Sequence, residues 1–371
     1  MMEQRRLGDY VKIKTGKLDA NASSENGKYP FFTCSVNNLR IDTFAYDCEC
    51  VLIAGNGDLN VKYYKGKFNA YQRTYIVESN DKTILDVQYL YYFMSKYVDI
   101  LRSNSIGGVI KYIKLGDLTE AFIPIPPLET QKKIVEVLDK AQGLIDARKE
   151  QITLMDELIQ SVFYEMFGDP VANRKGWEVG TINDLTLKTQ YGTSKKAHET
   201  NGEYPVLRMN NITYSGGWDF SSLKYVDLDE NELEKYLVYE GELLFNRTNS
   251  KELVGKSAVY RKSKPMAYAG YLVKLKINPK GNAEYISSYL NSKHGKATLL
   301  NMAKSIVGMA NINAEELKKI KINLPSVEKQ NEFAKIVRII ENLKDVMHGS
   351  LENYEMEYQS IMQKAFNGKL F

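Results

Sequence analysis

The sequence predicts an α+β protein made of an internal repeat. Two α+β domains are separated by two long helices, which pair as an antiparallel coiled coil about a pseudo-twofold axis. Three observations predict this. The segments starting at Pro126 and Pro325 match without a gap at a constant offset of 199, through pairs such as Glu129/Glu328, Gln131/Gln330, Asp146/Asp345, Gln160/Gln359, Ser161/Ser360 and Phe167/Phe366. Upstream of each, Asn26-Gly27-Lys28-Tyr29-Pro30 answers to Asn201-Gly202-Glu203-Tyr204-Pro205 at an offset of 175. Finally, both matched segments carry apolar residues every three or four positions over their whole length, the period of a coiled-coil seam.

Taken in order, the elements are a first domain over 1–125, a helix over 126–168, a second domain over 169–324 and a C-terminal helix over 325–371. In the first domain, Val51-Leu52-Ile53-Ala54 and Val61-Lys62-Tyr63-Tyr64 flank Gly55-Asn56-Gly57-Asp58 and read as a hairpin. Thr74 to Val77 reads as a strand and Val87 to Leu101 as a helix. The second domain repeats this grammar, with strands at Ser257–Tyr260 and Tyr271–Leu275 and a helix over Glu284–Lys304. The offset grows from 175 to 199, so the second domain holds about two dozen extra residues. Pro127 and Pro325 open the two long helices, where a missing N–H does no harm, and Glu129 and Glu328 favour the first turn. Gly168 and Gly368 close them. The expected seam includes Ile134, Val137, Leu144, Ile152 and Ile159 in the first helix. In the second it includes Val337, Ile340, Leu343, Leu351 and Ile361. Arg148 interrupts the first stripe. An amphipathic rod cannot hide its stripe alone, so each helix is the natural partner of the other.

The net charge of +4 is unevenly placed: residues 1–127 carry +2, 128–168 carry −3, 169–325 carry +6 and 326–371 carry −1. An anionic partner is therefore expected on the two domains and not on the helices. Cys34, Cys48 and Cys50 form no disulfide framework, and no His lies near them to complete a zinc set, so no metal is expected. No apolar run reaches the length of a membrane span and no apolar core follows Met1–Arg6, which predicts a cytoplasmic protein without a membrane partner. Catalytic motifs are missing: no P-loop, no Gly-x-Gly-x-x-Gly, no His-Glu-x-x-His, no Asn/Asp-Pro-Pro and no paired carboxylates. No catalytic residue and no resident cofactor is expected. The domains carry instead loops that mix basic, amide and aromatic residues. The candidates in the first are Asn56, Lys62, Tyr63, Lys65, Lys67, Gln72 and Arg73. Those in the second are Tyr191, Lys195, Lys196, Arg208, Asn210, Asn246, Arg247, Asn249 and Lys251. Lys and Arg neutralise phosphates, while Arg on guanine and Asn or Gln on adenine form paired hydrogen bonds in the major groove.

Several of these segments resemble the specificity subunit of type I restriction-modification systems. They are Pro126-Pro127-Leu128-Glu129-Thr130-Gln131 and its repeat Pro325-Ser326-Val327-Glu328-Lys329-Gln330, the closing Ala365-Phe366-Asn367-Gly368, Tyr29-Pro30-Phe31-Phe32-Thr33-Cys34-Ser35, and Tyr204-Pro205-Val206-Leu207-Arg208-Met209-Asn210-Asn211-Ile212. The resemblance covers essentially the whole chain. It implies two target-recognition domains, each reading half of a split, asymmetric site on double-stranded DNA, with the helix pair as the ruler between the halves. It also implies two methyltransferase subunits, which bring S-adenosylmethionine, and ATP-driven endonuclease subunits as partners, with no active site in the chain itself. The readings set against this one are the recognition part of a self-contained restriction-methylation enzyme, and a protein scaffold that uses the coiled coil.

Overall fold

A computed structural model describes residues 3–104, 112–306 and 309–371. The chain forms two compact units, Met1–Lys149 with Gly349–Phe371, and Glu150–His348. The central helix, Leu128–Phe167, gives its first half to the first unit and its second half to the second. The C-terminal helix, Val327–Phe366, does the reverse.

In the first unit a six-stranded sheet runs in the order Val11–Thr15, Thr74–Ser79, Tyr46–Ala54, Val61–Ala70, Tyr29–Phe32, Leu39–Ile41. All neighbours are antiparallel except Tyr29–Phe32, which lies parallel to Val61–Ala70. Period-2 alternation divides the central strand between two cores. Val51 and Ile53 face a large core under the helix Val87–Asn104, while Cys50 and Leu52 face a smaller one with Phe32, Phe68 and Ile76. The large core also takes Ile134 and Leu138 from the start of the central helix, and Met362 and Phe366 from the end of the C-terminal one.

In the second unit the equivalent of Val61–Ala70 is broken into Ser257–Val259 and Met266–Tyr268. The sheet accordingly divides into two four-stranded sheets. One is Thr186–Tyr191, Leu272–Ile277, Leu243–Asn246, Ser257–Val259; the other is Lys224–Val226, Tyr204–Leu207, Met266–Tyr268, Leu237–Val238. The helix expected over Glu284–Lys304 is likewise two helices, Ala283–Asn291 and Lys293–Met302. Ser292 is extended (φ −64, ψ 160) and its hydroxyl accepts the Gly295 N–H at 3.0 Å, so it caps the second helix as the first ends.

The repeat is legible at the level of single hydrogen bonds. Leu7 N–H donates to the Ala121 carbonyl and Ile182 N–H to Ile320. Tyr29 and Tyr204 open equivalent strands, paired with Ile41 and Val226. Gln131 and Gln330 are both fully buried. Gln131 donates from Nε2 to the carbonyls of Pro126 (2.8 Å) and Ile84 (2.7 Å) and accepts the Asp86 N–H at 2.9 Å. Gln330 donates to Pro325 (2.9 Å) and Lys280 (3.2 Å) and accepts the Asn282 N–H at 2.9 Å. The far ends repeat as well. Phe366 packs on Tyr89 at 5.2 Å, and Phe167 on Tyr285 at 4.7 Å.

Within each unit the two helix halves run antiparallel, but the seam differs from the expected one in the middle of both helices. Ile134, Ile159, Val337 and Ile340 are buried as expected, and Val137, Ile152, Leu351 and Ile361 are half-buried. Leu144 and Leu343 are exposed, at 56% and 49%. The buried stripe passes instead through their neighbours Ile145 and Lys344, 3% and 7% exposed. Adjacent apolar pairs, Val137-Leu138 and Leu144-Ile145, satisfy three-four spacing in two registers. The unbroken 4-3 series from Ile134 runs 138, 141, 145, 148. Lys344 fills its seam position by pairing with Asp156, and with Glu341 at 3.2 Å. Arg148 fills its own by laying its guanidinium over the Tyr354 ring at 5.4 Å, with the neighbouring Lys149 paired to Glu355 at 2.9 Å.

Candidate nucleic-acid interface

In both units the same end of the sheet gathers the candidate side chains. The first unit's hairpin turns at Gly55–Asn60, where the Gly55 N–H donates to the Arg73 carbonyl at 2.8 Å and its carbonyl accepts from Ile113 at 3.0 Å. Asn56 bridges to Tyr112, Asn60 Nδ2 donates to the Cys34 carbonyl at 2.8 Å, and Lys62 Nζ donates to the Ser35 carbonyl at 2.6 Å. Gln72, next to Arg73, is braced by Asp19 at 2.9 Å. Asn56, Lys62, Gln72 and Arg73 therefore share one end, together with Tyr112 and the Cys34-Ser35 turn.

The second unit repeats this frame. The Arg247 N–H donates to the Tyr271 carbonyl at 3.0 Å, and the Arg247 carbonyl accepts from Ile312 at 2.9 Å. Arg247 thus stands where Gly55 stands, and Tyr271 where Arg73 stands. The short strands Thr248–Asn249, Met309–Asn311 and Lys304–Ile306 form a ribbon at this end. The Arg247 guanidinium lies over the Tyr191 ring at 4.9 Å, and its Nε donates to Asn311 Oδ1 at 3.3 Å. Its terminal NH2 groups take no protein acceptor among the described residues, so a forked donor edge stays available on a stacked, oriented arginine. Tyr191 is placed by its hydroxyl, which accepts the Ala314 N–H at 3.1 Å, and by Gly192 behind it. A Cβ on Gly192 would come within 2.2 Å of the Tyr268 carbonyl; one on Gly16, its equivalent, would come as close to Ala70. Only glycine lets the strands approach so closely.

Other expected candidates are committed elsewhere. Lys62-Tyr63-Tyr64-Lys65-Gly66-Lys67 is not a loop but the middle of the strand Val61–Ala70. Alternation sends Lys62 and Tyr63 to opposite faces. The Tyr63 hydroxyl donates to Glu49 at 2.7 Å, and burial, reinforced by that carboxylate, pushes its phenol up. Glu49 is held below the usual carboxylate range, first by Lys82, and Lys65 lies 4.0 Å from it. Lys67 sits over Phe44 at 4.7 Å. Opposite Asp47, it lies five residues along the strand from Lys62, about 17 Å from the gathered end. Asn246 is fully buried, its amide donating to Leu253 and its backbone closing the turn to Lys256. Lys195 pairs with Glu232 and Asp229, and Glu232 holds its charge above the usual lysine range. Arg208 donates to the Ser222 carbonyl at 2.8 Å. Lys196, Asn210 and Lys251 are exposed and Asn249 half-exposed.

Tyr112, Tyr271 and Asn311 were not picked out by the sequence reading. Tyr271, at 53% exposed, opens a strand of buried residues, and an exposed aromatic there was a usable signal. Asn311 had none, because its partner Arg247 is 64 residues away. Among the described residues no three His, Cys, Asp or Glu side chains converge as a metal site, and no helix is long and apolar enough to cross a membrane.

Two copies of one α+β unit, each with a basic, amide- and aromatic-bearing end and each clasped by halves of two shared helices, define a duplicated recognition protein. The family pattern described as "Type I restriction modification DNA specificity domain" matches residues 1–154 and 174–355. The type I restriction enzyme EcoDI specificity subunit of Escherichia coli is 27% identical over 98% of this chain and 87% of its own. The EcoKI specificity subunit of E. coli strain K12 is 27% identical over 74% of this chain and 63% of its own. Among solved structures, the type I restriction-modification S subunit from M. genitalium shares the fold, with a TM-score of 0.58 at 16% identity over 99% of this chain and 96% of that one. The chain belongs to the type I restriction-modification DNA specificity family.

Proposed function

We propose that this chain reads a split, asymmetric site on double-stranded DNA, one half with each unit. The observation that carries the reading is the duplicated end. The same backbone frame presents Asn56, Gln72 and Arg73 in the first unit and Arg247, Asn249 and Tyr271 in the second. Arginine, asparagine and glutamine are the side chains that read base edges, and the two sets differ, so two different half-sites follow. Lys62 at the first unit's end and Lys251, two residues from Asn249, supply phosphate contacts, as does the exposed Lys196. The long helices, 40 residues each and about 60 Å long, set the unread gap between the halves.

The chain itself supplies no reaction. Two methyltransferase subunits carrying S-adenosylmethionine, and ATP-driven endonuclease subunits, assemble on it in the cytoplasm. The family membership, the specificity subunits it resembles and the absence of catalytic motifs support this division of labour. The test is selection of duplexes from a randomised pool by the purified full chain with its methyltransferase subunits. Two short fixed segments separated by a constant unread spacer are expected. A single continuous motif, or no enrichment, overturns the reading. Methyl transfer from S-adenosylmethionine by the chain alone would instead make it an enzyme.

A further inference from the structure

Beside Lys251 the second unit contains a basic hollow of about 380 Å³, whose other lysines have no role in the reading above. Tyr214, Lys251, Glu252, Lys256, Lys293 and Lys296 line it, four cations against one carboxylate from three separate stretches of chain. Several other lysines of this unit are paired with acids, Lys224 with Glu199, Lys262 with Asp345 and Lys344 with Asp156. None of the four in the hollow has a carboxylate within 4 Å among the described residues. Lys256 is only 9% exposed, and its ammonium donates to the Ile212 carbonyl. Lys296 donates to the Tyr214 carbonyl and stands over the Tyr214 ring at 3.2 Å, so both amines are fixed rather than swinging in solvent. Glu252 is held below the usual carboxylate range chiefly by a backbone N–H and Ser250, so its charge is committed locally. Lys251 joins the hollow directly to Asn249 and the ribbon beside Arg247.

We propose that this hollow binds a phosphate of the DNA backbone flanking the second half-site, and so anchors the second unit on the duplex. The inference rests on the DNA-recognition reading above. Clustered, partly buried ammonium groups without a counter-charge repel one another; burial, with Lys256 adding to it, pushes Lys296 down to about 8. A phosphate supplies the missing charge, accepts from several amines at once, and releases its condensed counterions on binding. The first unit is built differently at the equivalent place: its helix Val87–Asn104 runs unbroken where the second unit turns at Ser292 to present Lys293 and Lys296. The anchor proposed here therefore belongs to the second half-site.

The test measures binding of the full chain to a duplex carrying its selected site over a range of salt. Lys251→Gln with Lys293→Gln changes exposed side chains, and circular dichroism checks that the fold is kept. The pair is expected to weaken binding about tenfold at physiological salt and to reduce the slope of log K against log salt by one to two, with base preference unchanged. Single methylphosphonate linkages placed along the duplex should weaken wild-type binding beside the second half-site and leave the variant indifferent there. Lys296→Met should reproduce the loss of slope. An unchanged slope, or a methylphosphonate effect confined to the first half-site, overturns the proposal. So does thermal stabilisation by inorganic triphosphate that depends on these lysines while DNA binding does not, because the occupant is then a small free anion. If wild type binds no duplex at all, the recognition reading itself falls, which is a separate outcome.

Discussion

Gln131 and Gln330 close a gap that helix geometry leaves open. The chain reaches each long helix through a proline, and the turn before the helix has carbonyls with no ladder partner. Each glutamine satisfies one of them, at Pro126 or Pro325, and with its other N–H a carbonyl ahead of the domain's own helix, at Ile84 or Lys280, while accepting the N–H of Asp86 or Asn282. Replacing Gln131 by Leu keeps the volume but strands those backbone groups in the core, which should cost about 3 kcal/mol in urea unfolding; a loss under about 0.5 kcal/mol would contradict this role. At the interface, Arg247→Lys keeps the charge and loses the fork stacked on Tyr191. Base preference should relax in one half-site only, by about 1–3 kcal/mol per affected base pair in competition binding. Lys296 makes a pH prediction with a defined sign. Its amine sits near 8 when the hollow is empty, facing Lys256, Lys251, Lys293 and Glu252, and a phosphate raises it. Binding then takes up a proton above that pH, so affinity is flat below about pH 7.5 and falls as pH rises toward 9. Lys296→Met should flatten that fall in a binding titration.

Among the elements, the helix seam separates what the sequence encodes openly from what it leaves ambiguous. Helix ends and register between the copies were legible, because Pro, Glu, Gln and Phe recur at one offset. The seam's course through the middle was not. Two adjacent apolar pairs allow either register, and one position is taken by Lys344, whose partner Asp156 lies 188 residues away. The corrected seam predicts that Ile145→Asp destabilises by more than about 3 kcal/mol, whereas Leu144→Asp stays within about 0.5 kcal/mol, when both are unfolded in denaturant. Equal effects would restore the other register. The same logic explains why the strand Val61–Ala70 was partly read as a loop. Its Lys-Tyr-Tyr-Lys-Gly-Lys run looks like a solvated turn, but a strand with a core on each face uses those aromatics for packing and puts only the amines in water. The basic hollow was out of reach for a different reason. Its lysines are ordinary in sequence and become a cluster only when the helix breaks at Ser292.

On the scale of the whole molecule, the duplication explains the unequal drift between the copies. Helix halves that must pair in both units keep a gapless match. Ends that carry different side chains on one frame share only the residues that build the frame, such as Gly16 and Gly192. If the helices set the gap between half-sites, inserting one heptad after Lys149 and another after His348 keeps the seam in phase and adds about 10 Å to each rod. Duplex selection should then return the same two half-sites with a spacer longer by about three base pairs; an unchanged spacer would remove the ruler role. The central claim is that each unit reads its own half. The most direct test replaces only Asn56, Gln72 and Arg73, which leaves the cores and helices untouched, and repeats the selection. The account predicts that one half-site changes or blurs while the other half and the spacer stay as they were. Change in both halves, or in neither, would contradict it.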